Sequence, residues 1–313
     1  MVLAKKSISK YKIQRKLFNT AIEGDNLIEK RIFAMVLAAL VLSTTAGFCA
    51  EQSKELTVFC AASLTGAFGE IGQMYKNETN ISAVFNFDGS QVLRTQIENG
   101  AYADIFVSAN KKQMNLLKNE GFTNNSSITV FTKTKPVIIV PKDNPAKIQN
   151  ISDLAKPGIK IVIGTKDVPI GDYTLQILTK LANDTSFGPG FKKKFMANVV
   201  SQETNVNYIT SKVVLGEADA GIAYKSDITK DLATKITKIE IPDKYNVIAE
   251  YPIGMLNQSK YPAQAQEFIN LVKSDKGMAV LEKYGFEPPK TPETQASVNT
   301  NATVTATATK ATA

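Results

Sequence analysis

FCAASLTGAF, residues 59–68, decides the fold. The preceding LTVF run is apolar and β-rich, CAAS follows with small residues and a hydroxyl, and a helical pattern then begins. Phe68, Ile71 and Tyr75 fall on one helical stripe. A strand that ends in small residues where a helix starts is the first corner of a β-α-β unit. NFDGSQVLRTQI, residues 86–97, repeats the event: strand, glycine, Ser90, then a helix that Gly100 stops. Ser63 and Ser90 are either two ordinary helix caps or two halves of one anion site.

Working outward, strands and helices alternate over 54–290. ADIFVSA (103–109) reads as a strand and KKQMNLLKNEGF (111–122) as a helix with a glycine stop. KPVIIVPK (135–142) and IKIVIGTK (159–166) are apolar enough to be buried strands, with a short capped helix between them at ISDLAKPG. Helices are expected at 172–183, from 191, and at 207–219, then a strand from Ala220, further strands over 236–256 and a helical run over 260–286. Gly69 and Gly72 read as helix-packing positions. The alternation predicts parallel strands covered by helices. One continuous α/β domain and two α/β lobes both fit. The long middle unit and the return of strand-like sequence after 236 favour two lobes joined by more than one crossover.

The two ends are of another kind. RIFAMVLAALVLSTTAGFCA (31–50) has a basic flank, an apolar run and small residues, the pattern of an export signal. The alternative reading of residues 1–50 is an N-terminal anchor that holds the protein on the outer face of the cytoplasmic membrane rather than releasing it to the periplasm, but the apolar stretch is short against the roughly 20 residues of a membrane span. The Thr/Ala-rich segment 291–313 has almost no large apolar side chain to bury and is expected to be disordered. The net charge of +8 is concentrated toward the N-terminus, in the first 31 residues. Beyond them lysines alternate with carboxylates, and no nucleic-acid module is legible.

The chain has no histidine and two cysteines, Cys49 and Cys60. Histidine-based triads, histidine general bases and four-cysteine zinc sites are therefore excluded. No phosphate-binding loop, paired carboxylates or nucleophile elbow is present. Asp104, at a strand start, reads as a structural hydrogen-bond acceptor. What remains is a set of helix starts: Ser63, Ser90, and DVPIGDYT (167–174), where Ile170 and Gly171 offer main-chain N–H groups. Such starts favour anions through free donors and dipole direction.

VFCAASLTGAFGEIGQMYKNET (58–79), FNFDGSQVLRTQIENGAYADIFVSANKKQMNLL (85–117) and TNVNYITSKVVLGEADAGIAYKSD (204–227) resemble, in order, blocks of the molybdate/tungstate-binding proteins of ABC importers. The likeness covers about 54–287. It implies a two-lobed, type II periplasmic-binding-protein-like α/β fold with mixed sheets, helices on both faces and a central cleft. Lobe one would comprise 54–133 plus 238–287, and lobe two 134–237. The resemblance also implies that molybdate or tungstate is held by neutral donors from Ser63, Ser90, Ile170, Val206 and Tyr224. Ile170 stands where the family often has alanine. The implied protein is no enzyme, needs no cofactor beyond its transported ligand, and works as an exported monomer with a membrane permease and its ATPase. Acceptors are expected to be few in such a pocket, which disfavours hydrogen phosphate. A receptor for sulfate or phosphonate, and an α/β enzyme acting on a phosphorylated small molecule, are the alternatives.

Overall fold

Residues 55–289 are described in the computed structural model of the chain. The export signal expected over 1–50 and the tail expected over 291–313 lie outside them. The first half runs β1 (Glu55–Ala61), a single 3-10 turn (Ala62–Leu64), α1 (Thr65–Thr79), β2 (Ser82–Asp88), α2 (Ser90–Glu98), β3 (Ile105–Val107), α3 (Lys111–Asn119) and β4 (Thr129–Thr134). The middle runs β5 (Pro136–Pro141), β6 (Ile161–Gly164), α4 (Pro169–Ala182), α5 (Phe191–Ala197), β7 (Val199–Glu203), α6 (Val206–Val214), β8 (Ala220–Tyr224), α7 (Leu232–Lys235) and β9 (Ile236–Glu240). The chain closes with β10 (Ala249–Met255), α8 (Pro262–Lys273) and α9 (Asp275–Lys283).

These elements build two mixed five-stranded sheets, ordered β2-β1-β3-β10-β4 and β7-β6-β8-β5-β9. In the first, β1 is parallel to β2 and β3, while β10 runs antiparallel to β3 and β4. In the second, β6 is parallel to β7 and β8, while β5 runs antiparallel to β8 and β9. The fold is therefore a two-lobed α/β architecture. The chain crosses between sheets at Lys135, and again over 241–248. β9 pairs along β5 as far as Glu240, so the second sheet extends past residue 237, where the sequence reading returned the chain to lobe one.

Period-2 alternation in a central strand explains the helices on both faces. On β1, Val58 and Cys60 join α1 residues Phe68, Ile71 and Tyr75 in the main core. Phe59 points the other way, into a smaller core with Leu93 and Ile97 of α2 and Met114 and Leu117 of α3. The last helices return to the first sheet. Phe268 of α8 packs against Phe68, Tyr75 and Phe85 at ring-centroid distances of 6.1, 5.3 and 6.2 Å.

Several local expectations are corrected. The helical run over 260–286 is two helices, because Ser274 is extended and caps α9 by accepting the Gly277 N–H. The strand expected over 103–109 pairs only at Ile105–Val107. Asp104 accepts the Thr57 N–H at 2.8 Å, the structural role expected of it. Of the two glycines read as packing positions, Gly72 is one: a Cβ there would lie 2.6 Å from the Phe85 ring, whereas at Gly69 it would meet nothing within 4 Å.

Phe268 is the aromatic hub that ties the returning C-terminal segment to lobe one. Phe268→Ala is expected to lose about 3–5 kcal/mol of stability, measured as a shift of the urea midpoint at unchanged slope.

Candidate oxyanion site

The carboxyl ends of strands in both sheets face one small cavity, about 220 Å³ of empty space counted out to its mouth. In open α/β sheets a crevice at this edge is the usual ligand position. Ala61, Ala62, Ser63, Asp88, Gly89, Ser90 and Ala109 line it from lobe one; Val168, Pro169, Ile170, Asn205, Val206 and Tyr224 line it from lobe two. All five residues implied by the resemblance are thus neighbours around a single space. None of the lining side chains is cationic.

Neither serine is a helix cap. α1 follows Leu64 and α2 follows Gly89, both without a side-chain cap bond. Ser63 lies inside the 3-10 turn, and Ser90 is the first residue of α2. Each hydroxyl instead meets the scaffold. The Ser90 Oγ accepts the Ala109 N–H at 3.0 Å. The Ser63 Oγ lies 2.9 Å from the Tyr251 Oη. Tyr251 is fully buried, and either hydroxyl of this pair can donate, since the Tyr251 phenol also faces that of Tyr224. The Ser90 hydroxyl therefore accepts from the protein and keeps its own proton to donate, while that of Ser63 shares one hydrogen bond with Tyr251.

Three helices of nine residues or more begin at the cavity: α2 at Ser90, α4 at Pro169 and α6 at Val206. Pro169 has no N–H to spend, which leaves Ile170 as the first donor of α4. α4 starts earlier than the 172 expected, so Gly171 lies inside the helix. A Cβ on Gly171 would sit 1.9 Å from the Thr165 carbonyl oxygen, so the residue lets α4 press against the end of β6. α6 is capped by Asn205, whose Oδ1 accepts the N–H groups of Asn207 and Tyr208 at 3.1 and 3.3 Å. The Val206 N–H is not taken by that cap. Free first-turn donors and three aligned dipoles make this corner favourable for negative charge.

Tyr224, at the end of β8, supplies the clearest demand for a guest. Its Oη is buried and, though it faces the Tyr251 phenol, makes no hydrogen bond of full geometry among the described residues. Burial holds the phenol well above its ordinary pKa, so it is a neutral donor. Its ring packs on Tyr251 and Tyr173 at 5.9 and 6.4 Å. Behind it, the Asp227 Oδ2 accepts the Tyr224 N–H at 2.8 Å, while Oδ1 is buried without a partner. Burial pushes the Asp227 carboxyl up to about 8.

The sequence reading missed Asp88, Asn205 and Tyr251. Asp88 is the one acidic residue among those that line the cavity. Only its place before Gly-Ser marked it, and that pattern is equally that of a turn.

The family described as bacterial extracellular solute-binding protein matches residues 56–287. The molybdate-binding protein ModA of Mycobacterium tuberculosis is 34% identical over 266 residues, covering 82% of this chain and 96% of that protein. Among solved structures, the substrate-binding domain of a putative molybdenum ABC transporter from Clostridium difficile aligns with a TM-score of 0.57 and 29% identity, over 76% of this chain and all of that one. The sulfate-binding protein SubI of M. tuberculosis, at 15% identity, shares the fold with a TM-score of 0.69 over 78% of this chain and 90% of its own.

The raised carboxyl of Asp227 sets a pH dependence. Folding raises this pKa from 3.8 to about 8, so between those values the native state holds a proton that the unfolded chain has released. Stability then falls as pH rises through that window. Asp227→Asn keeps the acceptor for the Tyr224 N–H and removes the ionisation. Its thermal stability relative to the natural protein is expected to improve steadily from about pH 4 to about pH 8 and to level off above. A gap independent of pH would show that the carboxyl ionises normally in the fold.

Proposed function

The chain belongs to the bacterial extracellular solute-binding proteins, in the group of their molybdate-binding relatives, and from that premise we propose that it captures molybdate or tungstate outside the cytoplasm for delivery to an ABC importer. The carrying observation is Tyr224: a buried phenol with no partner, on the wall of a cavity where three helices begin. In this reading the ion's oxygens accept from the hydroxyls of Ser63 and Ser90, the phenol of Tyr224, and the N–H groups of Ile170 and Val206. No catalytic step is involved, and the metal arrives inside its oxyanion. Among the described residues no cluster of three His, Cys, Asp or Glu side chains is placed to hold a bare metal ion.

Binding favours closure because the donors are divided. Ser63 and Ser90 stand on lobe one, and Ile170, Val206 and Tyr224 on lobe two, so only the closed arrangement supplies the full set. A membrane permease, with its ATPase, reads that closure as cargo. The protein works as an exported monomer with no cofactor beyond the ion it carries. Neutral donors also bear on selectivity. A lysine or arginine would hold almost any anion, whereas hydroxyls and amides fix oxygen positions. Sulfate has the same charge but is smaller and reaches fewer donors at once.

Calorimetry on residues 51–290 tests the reading, with molybdate, tungstate, sulfate and phosphate. Ser63→Ala and Tyr224→Phe should each weaken molybdate binding by about 1–3 kcal/mol, roughly tenfold to a hundredfold in Kd. Unchanged affinity in both would remove these donors from the site, and no heat with either metal oxyanion would overturn the ligand assignment. Tyr251→Phe, which keeps the ring and removes only the hydroxyl bonded to Ser63, should cost about 0.5–1.5 kcal/mol. A loss as large as that of Ser63→Ala would mean that Tyr251 does more than orient the serine.

A further inference from the structure

Asp88 stands out among the cavity's lining residues, because a carboxylate at the edge of an anion site is unfavourable unless it does something else. Its Oδ1 accepts two N–H groups, from Gly89 at 2.7 Å and from the Asn205 side-chain amide at 2.9 Å. The first bond stays within lobe one and the second crosses to lobe two. Asn205 is itself buried, 6% exposed, and engaged at both ends: its oxygen caps α6 while its Nδ2 reaches Asp88.

Two further bonds join the same segments. The Gln91 Nε2 donates to the Thr204 carbonyl at 3.0 Å, and the Asn207 Nδ2 donates to the Ala62 carbonyl at 3.3 Å. Thr204–Asn207 is thus held against lobe one at three points by protein atoms alone. An independent feature says that this approach is built into the chain. A Cβ on Gly89 would lie 2.1 Å from the Thr204 carbonyl oxygen, though the Gly89 backbone, at φ −59°, suits any residue. Glycine is needed there because the other lobe comes so close, not because of its own torsion angles.

We propose that Asp88 and Asn205 are positioning residues that clamp the start of α6 onto lobe one, so that closure is supported by a protein–protein contact as well as by the ion. The clamp carries the Val206 N–H to the cavity, since Asn205 is the residue immediately before it. It also places negative charge beside the guest. Asp88 therefore acts in two opposed ways: its hydrogen bond favours the closed lobes, and its charge weakens the hold on a dianion. Retention comes from the first effect and release from the second.

The proposal rests on the oxyanion reading only for its dissociation measurements, so the test has one arm that needs no ligand. Lobe separation is read by fluorescence transfer between dyes on the two lobes, without ion and with molybdate. Release is read by stopped-flow chase of molybdate. Asp88→Ala and Asn205→Ala should each shift the ion-free protein toward the open state; Asn205→Ala should speed release by roughly tenfold, and Asp88→Ala by less, because it also removes the opposing charge. The double variant should be no more open than either single one, because both remove the same bond. Asp88→Asn keeps an acceptor and loses the charge. It should stay as closed as the natural protein and bind molybdate more tightly, an outcome that a merely structural aspartate would not produce. An ion-free lobe distance unchanged in Asp88→Ala, or additive effects in the double variant, would overturn the clamp. A clamp seen without ion but no molybdate binding would leave the clamp standing and sink the ligand assignment instead. Should Asp88→Ala fail to fold, Asp88→Asn carries the test: equal or weaker binding in that variant overturns the opposing role of the charge.

Discussion

In the proposed reading, the governing constraint is that a small cavity must welcome negative charge without a single cationic side chain on its wall. Coulomb attraction from lysine or arginine would act over several ångströms and tolerate loose geometry. Hydrogen-bond donors act only at contact and in line. A site built from them must place each one individually, and a missing donor costs the full desolvation of the group left unpaired. Much of the architecture follows. Strands of two sheets end at one crevice, and helices begin there, because a helix start is the cheapest source of unpaired N–H groups. The corners are made of Ala61, Ala62, Gly89 and Pro169 because bulk or an extra side chain would block access to the backbone.

The hydroxyls obey the same logic at a finer scale. A serine hydroxyl both donates and accepts, so by itself it does not select an anion. Here Ser90 is committed as an acceptor by the Ala109 N–H, and Ser63 is oriented by one hydrogen bond shared with the Tyr251 phenol. The remaining function of the Ser90 hydroxyl toward the cavity is donation. Tyr224 reaches the same end by burial, which keeps its proton in place and denies it any other partner. The cluster of Tyr224, Tyr251 and Tyr173 rings lies across the junction of the lobes, so donor placement and lobe packing are one structure.

What could be read from the sequence was what repeats locally. The corners at Ser63 and Ser90, the glycine stops and the stripe Phe68, Ile71 and Tyr75 follow from periods of two and 3.6. They were enough for the α/β class. The resemblance of ordered blocks then supplied the split lobes and the candidate donors. Contacts between distant segments were invisible. Asp88 and Asn205 are 117 residues apart, and Ser63 and Tyr251 are 188 apart. No local pattern separates an aspartate that bridges lobes from one that caps a turn. The break at Ser274 was missed because apolar spacing continues through it, and only its extended backbone ends the helix. Gly69 and Gly72 are equally small, and only the position of Phe85 on a neighbouring strand distinguishes them.

Two lobes are required by counting rather than by history. One sheet edge brings its strand-to-helix corners to the crevice from one side, so its donors cover one hemisphere of a tetrahedral guest. Lobe one contributes the corners at Ser63 and Ser90; the opposite hemisphere needs α4, α6 and the end of β8 from a second sheet. Once the donors are divided, the guest must enter while the halves are apart, and the two crossings at Lys135 and 241–248 become the places where separation is absorbed. The division also explains why a carboxylate is tolerated at the rim. If closure depended on the ion alone, the most complete donor set would also be the slowest to release. Asp88 adds a contact that favours the closed lobes and a charge that disfavours the guest, which separates how firmly the lobes meet from how firmly the ion is held.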